Sequence, residues 1–504
     1  MKQAYLKTQL LTFFFICILT SCNQRLPDVV SRGGSPAIFP DYTDVTIPVN
    51  IAPLNFRIDK EVPAIAILSF KNKELKIKTN NGSFKIPIKA WKRLLKQAAG
   101  QTLQVSVYEK MQNGWHCYNT FPVHVANETI DPYLIYRRIA PGYRMWSEMG
   151  IYQRNLEKFD ETAILNNKQT HNNCMNCHSI CMQAPEQLLF HQRSQHAGTY
   201  LVSKNNISTI RPVAVLGKKT EKTPPLTYPY WHPSGKFIAF SSNHTKQDFH
   251  HSDPNRIEVF DSASDIYIYD MKTQELLTTP LLSSDENMET FPSFSPDGKS
   301  LYLCSAPSEP MPESYQNIKY NLLRISFDPE TRSFGTIPDT LYNANQQGRS
   351  AKFPRVSPDG SYLMYTLSDY GNFSIWHNDA DLFLIDMKTL ETNPLSNVNS
   401  SDVDSYHSWS SNSRWFVFSS RRMDGLYTRP YICYIKENGT TGKPFLLPQK
   451  ETDYYTYSLF SFNIPELAKG RIEVSSYDLI RFTQKQMITN SNADGYSNSN
   501  QQRN

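Results

Sequence analysis

Pro292-Ser-Phe-Ser-Pro-Asp-Gly-Lys-Ser-Leu-Tyr-Leu-Cys304 decides the fold, because the chain repeats it. Its counterparts are Tyr230-Trp-His-Pro-Ser-Gly-Lys-Phe-Ile-Ala-Phe-Ser-Ser242, Pro354-Arg-Val-Ser-Pro-Asp-Gly-Ser-Tyr-Leu-Met-Tyr365 and His407-Ser-Trp-Ser-Ser-Asn-Ser-Arg-Trp-Phe-Val-Phe418. Pro233, Pro296 and Pro358 are 63 and 62 residues apart, and Ser411 follows 53 later. Self-similarity at such a period means stacked units that bury one core between them. Within each copy Pro presets φ at the first turn position, Asp or Ser caps the turn, and Gly accepts the left-handed conformation. Each copy therefore reads as a strand, a tight turn and a second strand. Asn412-Ser413 is the weaker version of that turn.

A second strand pair follows each hairpin, most clearly at Asp265-Ile-Tyr-Ile-Tyr-Asp270 and Asp381-Leu-Phe-Leu-Ile-Asp386. Asn321-Leu-Leu-Arg-Ile-Ser-Phe-Asp328 and Tyr431-Ile-Cys-Tyr-Ile435 take the equivalent places. Four strands per unit make a propeller blade. The S-P-D-G hairpin followed by D-I-Y-x-x-D resembles the WD-like repeat of TolB-type β-propellers, over about residues 224 to 445. The resemblance implies a periplasmic propeller that binds partners. Four blades are visible and six are expected, with divergent strands between Thr199 and Val215 and between Tyr454 and Phe482 supplying the remainder. The propeller is expected over 224–488 and a disordered, Asn- and Ser-rich tail over 489–504. Asp297 and Asp359 read as turn residues, not catalytic carboxylates, so function is expected on the faces and channel.

Upstream stands His171-Asn-Asn-Cys174-Met-Asn-Cys177-His178, which contains C-x-x-C-H, the spacing of c-type haem attachment. Two thiols each add to a vinyl group, and the following imidazole reaches the iron. Haem c is thus the expected cofactor, with Cys174 and Cys177 as covalent anchors and His178 as axial ligand. His191 and His196 are the favoured sixth ligands, with Met182, Met145 and Met149 as alternatives. Cys174, Cys177, His178 and Cys181 also admit a Cys3His zinc site, and Cys174 with Cys177 a simple disulfide. The segment 133–223 is read as a short haem-binding unit with helical stretches over Tyr143 to Leu165. His244, His250 and His251 cluster later, in what reads as a solvated loop.

Residues 45–132 alternate apolar and polar side chains, as in Ala64-Ile-Ala-Ile-Leu-Ser-Phe70 and Thr102-Leu-Gln-Val-Ser-Val-Tyr108. That pattern predicts strands with one buried face, in a small Ig-like sandwich. One helix interrupts it, with Trp91, Leu94, Leu95 and Ala98 on one side and Gly100 as its stop. His116 and His124 read as structural. The fold class is therefore mainly β: an Ig-like sandwich, a short helical haem segment and a C-terminal propeller.

The first 22 residues read as a secretory signal, with Lys2 and Lys7 before an apolar run. Leu19-Thr-Ser-Cys22 resembles a bacterial lipobox, which implies lipid attachment at Cys22 and anchorage in the outer membrane, facing the periplasm. Residues 23–44 read as a tether. Net charge is +5, and loss of Lys2 and Lys7 leaves +3, so nothing points to nucleic acid. Cys117, Cys181, Cys304 and Cys433 remain, with three full pairings possible or free thiols.

The functional expectation is an exported, lipid-anchored haem c protein. It would act in electron transfer or redox-linked sensing in an envelope complex, docking its partner on the propeller face. The alternatives are a TolB-like binding or scaffold module without redox turnover, and a haem-dependent propeller oxidoreductase. No G-x-S-x-G elbow is present to support a hydrolase.

Overall fold

A computed structural model describes residues 29–141, 147–193, 197–204, 206–219, 223–253, 255 and 257–490, the side chains of the last helix to 485. The lipobox cysteine Cys22, the signal segment, Met145, His196 and the tail beyond 490 lie outside the described residues.

The chain is mainly β, as its alternation and turn spacing dictate. The first sheet has seven strands, among them Ala64–Phe70, Lys73–Thr79, Thr102–Met111 and Phe121–Val125. It packs on a three-strand sheet of Ile38–Phe39, Phe56–Ile58 and Ser83–Phe84. The helix Ile88–Ala98 buries Trp91, Leu94, Leu95 and Ala98 against them, and Gly100 beyond its end takes φ +69°. The sandwich begins earlier than its alternation suggested. Val29–Ser31 pairs in parallel with Gly114–Cys117, and Ile38–Phe39 pairs with Phe56–Ile58, so residues 29–44 are strand-forming and not a free tether. Such strands are too short to show a period of two.

Six further sheets of four or five strands follow. Four are the repeats, with inner strands Thr227–Trp231, Asn287–Phe294, Ser350–Val356 and Asp404–Trp409; these are blades 3 to 6. Blade 2 consists of Met175–Ile180, Gln187–Gln192, Gly198–Ser203 and Asn206–Thr209. Blade 1 takes Tyr133–Ile139, Met149–Asn155 and Glu161–Asn166 from the beginning of the ring, and its inner strand, Ser461–Ala468, from the end. That exchange fastens the two ends of the ring to each other by main-chain hydrogen bonds.

The six expected blades are thus present, but the ring spans 133–468 and not only 224–488. The segment 133–223, expected to be helical, is strand. Its helix, among the described residues, is confined to two 3-10 turns at Asn167–Thr170 and Cys181–Gln183. Tertiary pairing overrides local pattern here, because Met149–Asn155 and Gln187–Gln192 are central strands buried on both faces and so lack alternation. The helix Ser476–Asn490 closes over blades 1 and 2, Phe482 lying edge-on to Tyr200 at 6.4 Å.

The sandwich leans on blade 6. Asp131 accepts hydrogen bonds from the Ser411 backbone and hydroxyl (2.7 and 2.6 Å), and Lys443 reaches Asp41 at 2.7 Å.

Candidate functional site

Each inner strand carries the same irregularity. The ladder slips between Asn176 and Ser179, Thr227 and Tyr230, Thr290 and Ser293, Lys352 and Arg355, Ser405 and Ser408, and opposite Asn463 and Glu466. At each slip one residue adopts positive φ: Cys177 (51°), Tyr228 (44°), Phe291 (53°), Phe353 (51°), Tyr406 (51°) and Ile464 (52°). The next residue is Pro229, Pro292, Pro354 or Pro465 in four blades, and His178 or His407 in the other two. Proline suits that place, because a bulge leaves one residue without a ladder partner.

The bulge residues turn toward the axis. Ring centroids of Tyr228 and Phe291 are 4.8 Å apart, Phe291 and Phe353 4.1 Å, Phe353 and Tyr406 4.7 Å. Ile464 packs on this group, and Cys177 takes the sixth place beside Tyr228 and Tyr406. The middle of the channel is therefore filled.

This arrangement decides where the haem-motif residues stand. Cys174 packs between Ile139 and Met149. Cys177 lies in the axial plug, and its thiol is raised by burial. His178 is 3% exposed and faces blade 1, with the backbone of Ile135 and Ile464 alongside and Glu466 Oε2 3.9 Å from Nε2. Neither ring nitrogen of His178 has a well-formed hydrogen bond among the described residues. Burial drives its imidazole down to about 3, so it is neutral.

His191 is on the neighbouring strand, but its Nδ1 meets the Thr199 hydroxyl at 3.0 Å, and that hydroxyl donates to the Leu226 carbonyl at the entry to blade 3. His178 and His191 thus lie on opposite faces of one sheet and cannot grip one iron. Met149 is spent in packing Cys174 and accepting from the Met175 N–H. Met182 lies at the far end of the strand, on the mouth described below.

Cys174, Cys177 and His178 are 5%, 2% and 3% exposed, so a covalent haem would have to displace packed side chains to reach them. They stand near one another, with Arg137 a neighbour of all three and Cys174 and Cys177 close enough to feel each other's charge. Cys181 sits four residues beyond Cys177 along an extended chain, about 13 Å at ~3.3 Å per residue. It is buried with Trp231 and Leu189, and among the described residues no group of three or more His, Cys, Asp or Glu converges on a metal position. The described cysteines are all free. His250 and His251 lie in the loop of the long hairpin formed by Phe237–Phe249 and Ile257–Asp270, as expected, whereas His244 stands within the first of these strands. That hairpin reaches past blade 4 to blade 5, where Glu258 meets His377 (3.2 Å) and Tyr370 (2.8 Å).

A site that the motif search missed lies one residue further along each inner strand. Ser179, Tyr230, Ser293, Arg355, Ser408 and Glu466 occupy equivalent ladder positions just after the bulge. On the S-P-D-G face they lead into a cavity of about 60 Å³, to which all six blades contribute. The Arg355 guanidinium lies 4.7 Å over the Tyr230 ring, and Trp409 Nε1 donates to the Arg355 carbonyl at 3.0 Å. Glu466 faces them across the mouth. Its carboxyl is raised to about 8, chiefly by burial and against the pull of Arg355, and its Oε2 lies 3.9 Å from His178 Nε2. The mouth therefore sets one fixed positive charge opposite a carboxyl that burial holds above its usual range, between aromatic walls. The signal was in the sequence: Phe-Pro, Tyr-Pro and Ile-Pro pairs stand just ahead of the turns, with the channel-lining residue next in line.

No family model matches the chain, and no curated protein matches it. Among solved structures it is similar to an oligogalacturonate lyase in complex with manganese, at 11% identity over 60% of this chain and 91% of the lyase, with a TM-score of 0.32. A puromycin-hydrolyzing peptidase of Mycobacterium tuberculosis shares 10% identity (TM-score 0.34), over 83% of this chain; the chain spans 57% of that peptidase. A DUF4784 family protein from Bacteroides caccae shares 9% identity over 71% of this chain and 95% of its own length, with a TM-score of 0.29. At these values the likenesses carry no argument about activity.

Proposed function

We propose that the chain is a TolB-like binding module of the bacterial envelope, exported, lipid-anchored at Cys22, and engaging its partner at the axial mouth on the S-P-D-G face of the propeller. The observation that carries this reading is the convergence of all six blades on Arg355, Glu466, Tyr230 and Trp409 around one cavity. Concave sites with a few convergent polar groups are where ligands bind. The sandwich adds a second surface beside blade 6.

Electron transfer through haem c is the second reading. The C-x-x-C-H spacing and the lack of a well-formed hydrogen bond at either nitrogen of His178 favour it; the burial of Cys174 and Cys177 weighs against it. The two readings separate on one comparison: binding of envelope proteins by the wild type, by Trp409→Ala and by the Cys174→Ala, Cys177→Ala double variant. The binding reading expects a partner lost with Trp409→Ala and kept by the cysteine variant. Loss with the cysteine variant alone, accompanied by loss of colour, would reinstate the redox reading.

A further inference from the structure

The axial mouth has a charge and a size, and together they define a ligand. Arg355 stays charged at every working pH, since no protein environment removes a guanidinium proton. It is held by ring contact with Tyr230 and by one bond from its Nη1 to the Pro354 carbonyl at 2.8 Å, not by a carboxylate among the described residues. Arg355 is the only lysine or arginine around the cavity, and Glu466 is the only carboxyl there, on the opposite wall and not paired with it. A desolvated guanidinium with open donors invites an oxyanion, which it holds by two parallel bonds.

The volume then limits what enters. Some 60 Å³ holds about four waters at ~15 Å³ each, or one carboxylate and its first carbon. The remainder of any ligand must lie outside, across Trp231, Trp409 and the turn prolines Pro233, Pro296 and Pro358, an apolar rim suited to an extended chain or a short aliphatic tail.

We propose that the axial mouth receives the terminal carboxylate of its ligand, with Arg355 as the counter-charge and Trp231 and Trp409 as the rim. This deepens the binding reading above and rests on it. A chain-terminal carboxylate and a free small organic acid share this chemistry, and the test tells them apart.

The test is a titration of the whole mature chain, read by tryptophan fluorescence, with N-acetyl-trialanine, with its C-terminal amide and with acetate. The expected result is saturable binding of the acid peptide at least tenfold tighter than of the amide, lost in Arg355→Met and weakened about tenfold in Arg355→Lys, which keeps the charge but not the fork. Thermal unfolding of each variant shows whether it is folded, and Arg355→Lys keeps the test meaningful if Arg355→Met is not. Acetate binding as well as the peptide assigns the site to small acids; a preference for the peptide assigns it to chain ends. Equal binding of acid and amide, both sensitive to Trp409→Ala, overturns the carboxylate but leaves the mouth a binding site. Binding of the acid peptide that is indifferent to Arg355→Lys and Arg355→Met, or no saturable signal from any probe up to about 10 mM, which leaves any affinity weaker than ~3 kcal/mol, overturns the proposal outright.

Discussion

At the scale of single residues, the molecule keeps several ionisable groups uncharged by burying them, and each leaves a mark on stability. Glu289 is 2% exposed, its Oε2 has no partner among the described residues, and burial with Asp265 nearby raises its carboxyl to about 8. In the unfolded chain the same carboxyl titrates near 4.5. Between those values the folded state holds a proton that the unfolded state has lost, so the stabilisation that Glu289 contributes is full below pH 4.5 and drains away as pH rises toward 8. Glu289→Gln removes that drain. Its stability relative to the wild type is expected to improve with rising pH, by up to about 1.4 kcal/mol per pH unit and a few kcal/mol in all, and to level off above pH 8. Chemical denaturation of both proteins at pH 5, 6.5 and 8 checks this, and a difference independent of pH refutes it.

Single residues were also where the sequence said least about surroundings. Cys174, Cys177 and His178 fit a familiar spacing, and spacing says nothing about whether the chain is helix or strand. In the folded ring Cys177 stands where Tyr228, Phe291, Phe353, Tyr406 and Ile464 stand, and His178 stands where proline does. His116 and His124, read as structural, are so: His124 bridges Thr102 and Asp44 at 2.9 and 3.0 Å.

At the scale of elements, the S-P-D-G hairpins were legible because turn chemistry is local. Asp297 accepts from Ser295 Oγ (2.5 Å) and the Lys299 N–H (3.0 Å), and Asn412 does the same in the weaker copy with Ser410 and Arg414. Each turn also fastens to a neighbour: His232 Nε2 lies 3.1 Å from the Gly298 carbonyl, and a methyl group on Gly298 would come within 2.2 Å of that nitrogen. Gly298 further holds φ +73°. Gly298→Ala is expected to cost about 2–4 kcal/mol, from the left-handed strain plus the displaced His232 bond. Gly360→Ala, with φ +75° but open space around it, should cost only the strain, about 1–2 kcal/mol. Thermal unfolding of the two variants side by side checks the difference; equal losses would mean that the turn is not locked to its neighbour.

Blades 1 and 2 were not legible in the same way. Their hairpins lack the S-P-D-G turn, their central strands are buried on both faces, and the inner strand of blade 1 comes from the other end of the ring. Pairing of residues more than 300 positions apart leaves no local trace. The aromatic-proline step of blades 3 to 5 is reduced to Ile464-Pro465 in blade 1 and to Cys177-His178 in blade 2, so the bulge they share shows only in the fold.

At the scale of the whole molecule, six bulges in register produce two consequences at once. Their side chains fill the middle of the channel, and the residue two further along each strand is delivered to the mouth on the S-P-D-G face. Arg355 and Glu466 therefore owe their meeting to closure of the ring, since blade 5 supplies one and the returning strand of blade 1 the other. The same closure places the C-x-x-C-H segment in the wall of the ring, with Cys174 against Ile139 and Met149 and Cys177 beside Tyr228. The most direct test is to produce the mature chain alongside a c-type haem attachment system, extract it with acid acetone and record the pyridine haemochrome spectrum. The account predicts a colourless polypeptide whose Cys174 and Cys177 both react with a thiol reagent after unfolding. A haem retained through extraction, with both thiols blocked, would contradict it.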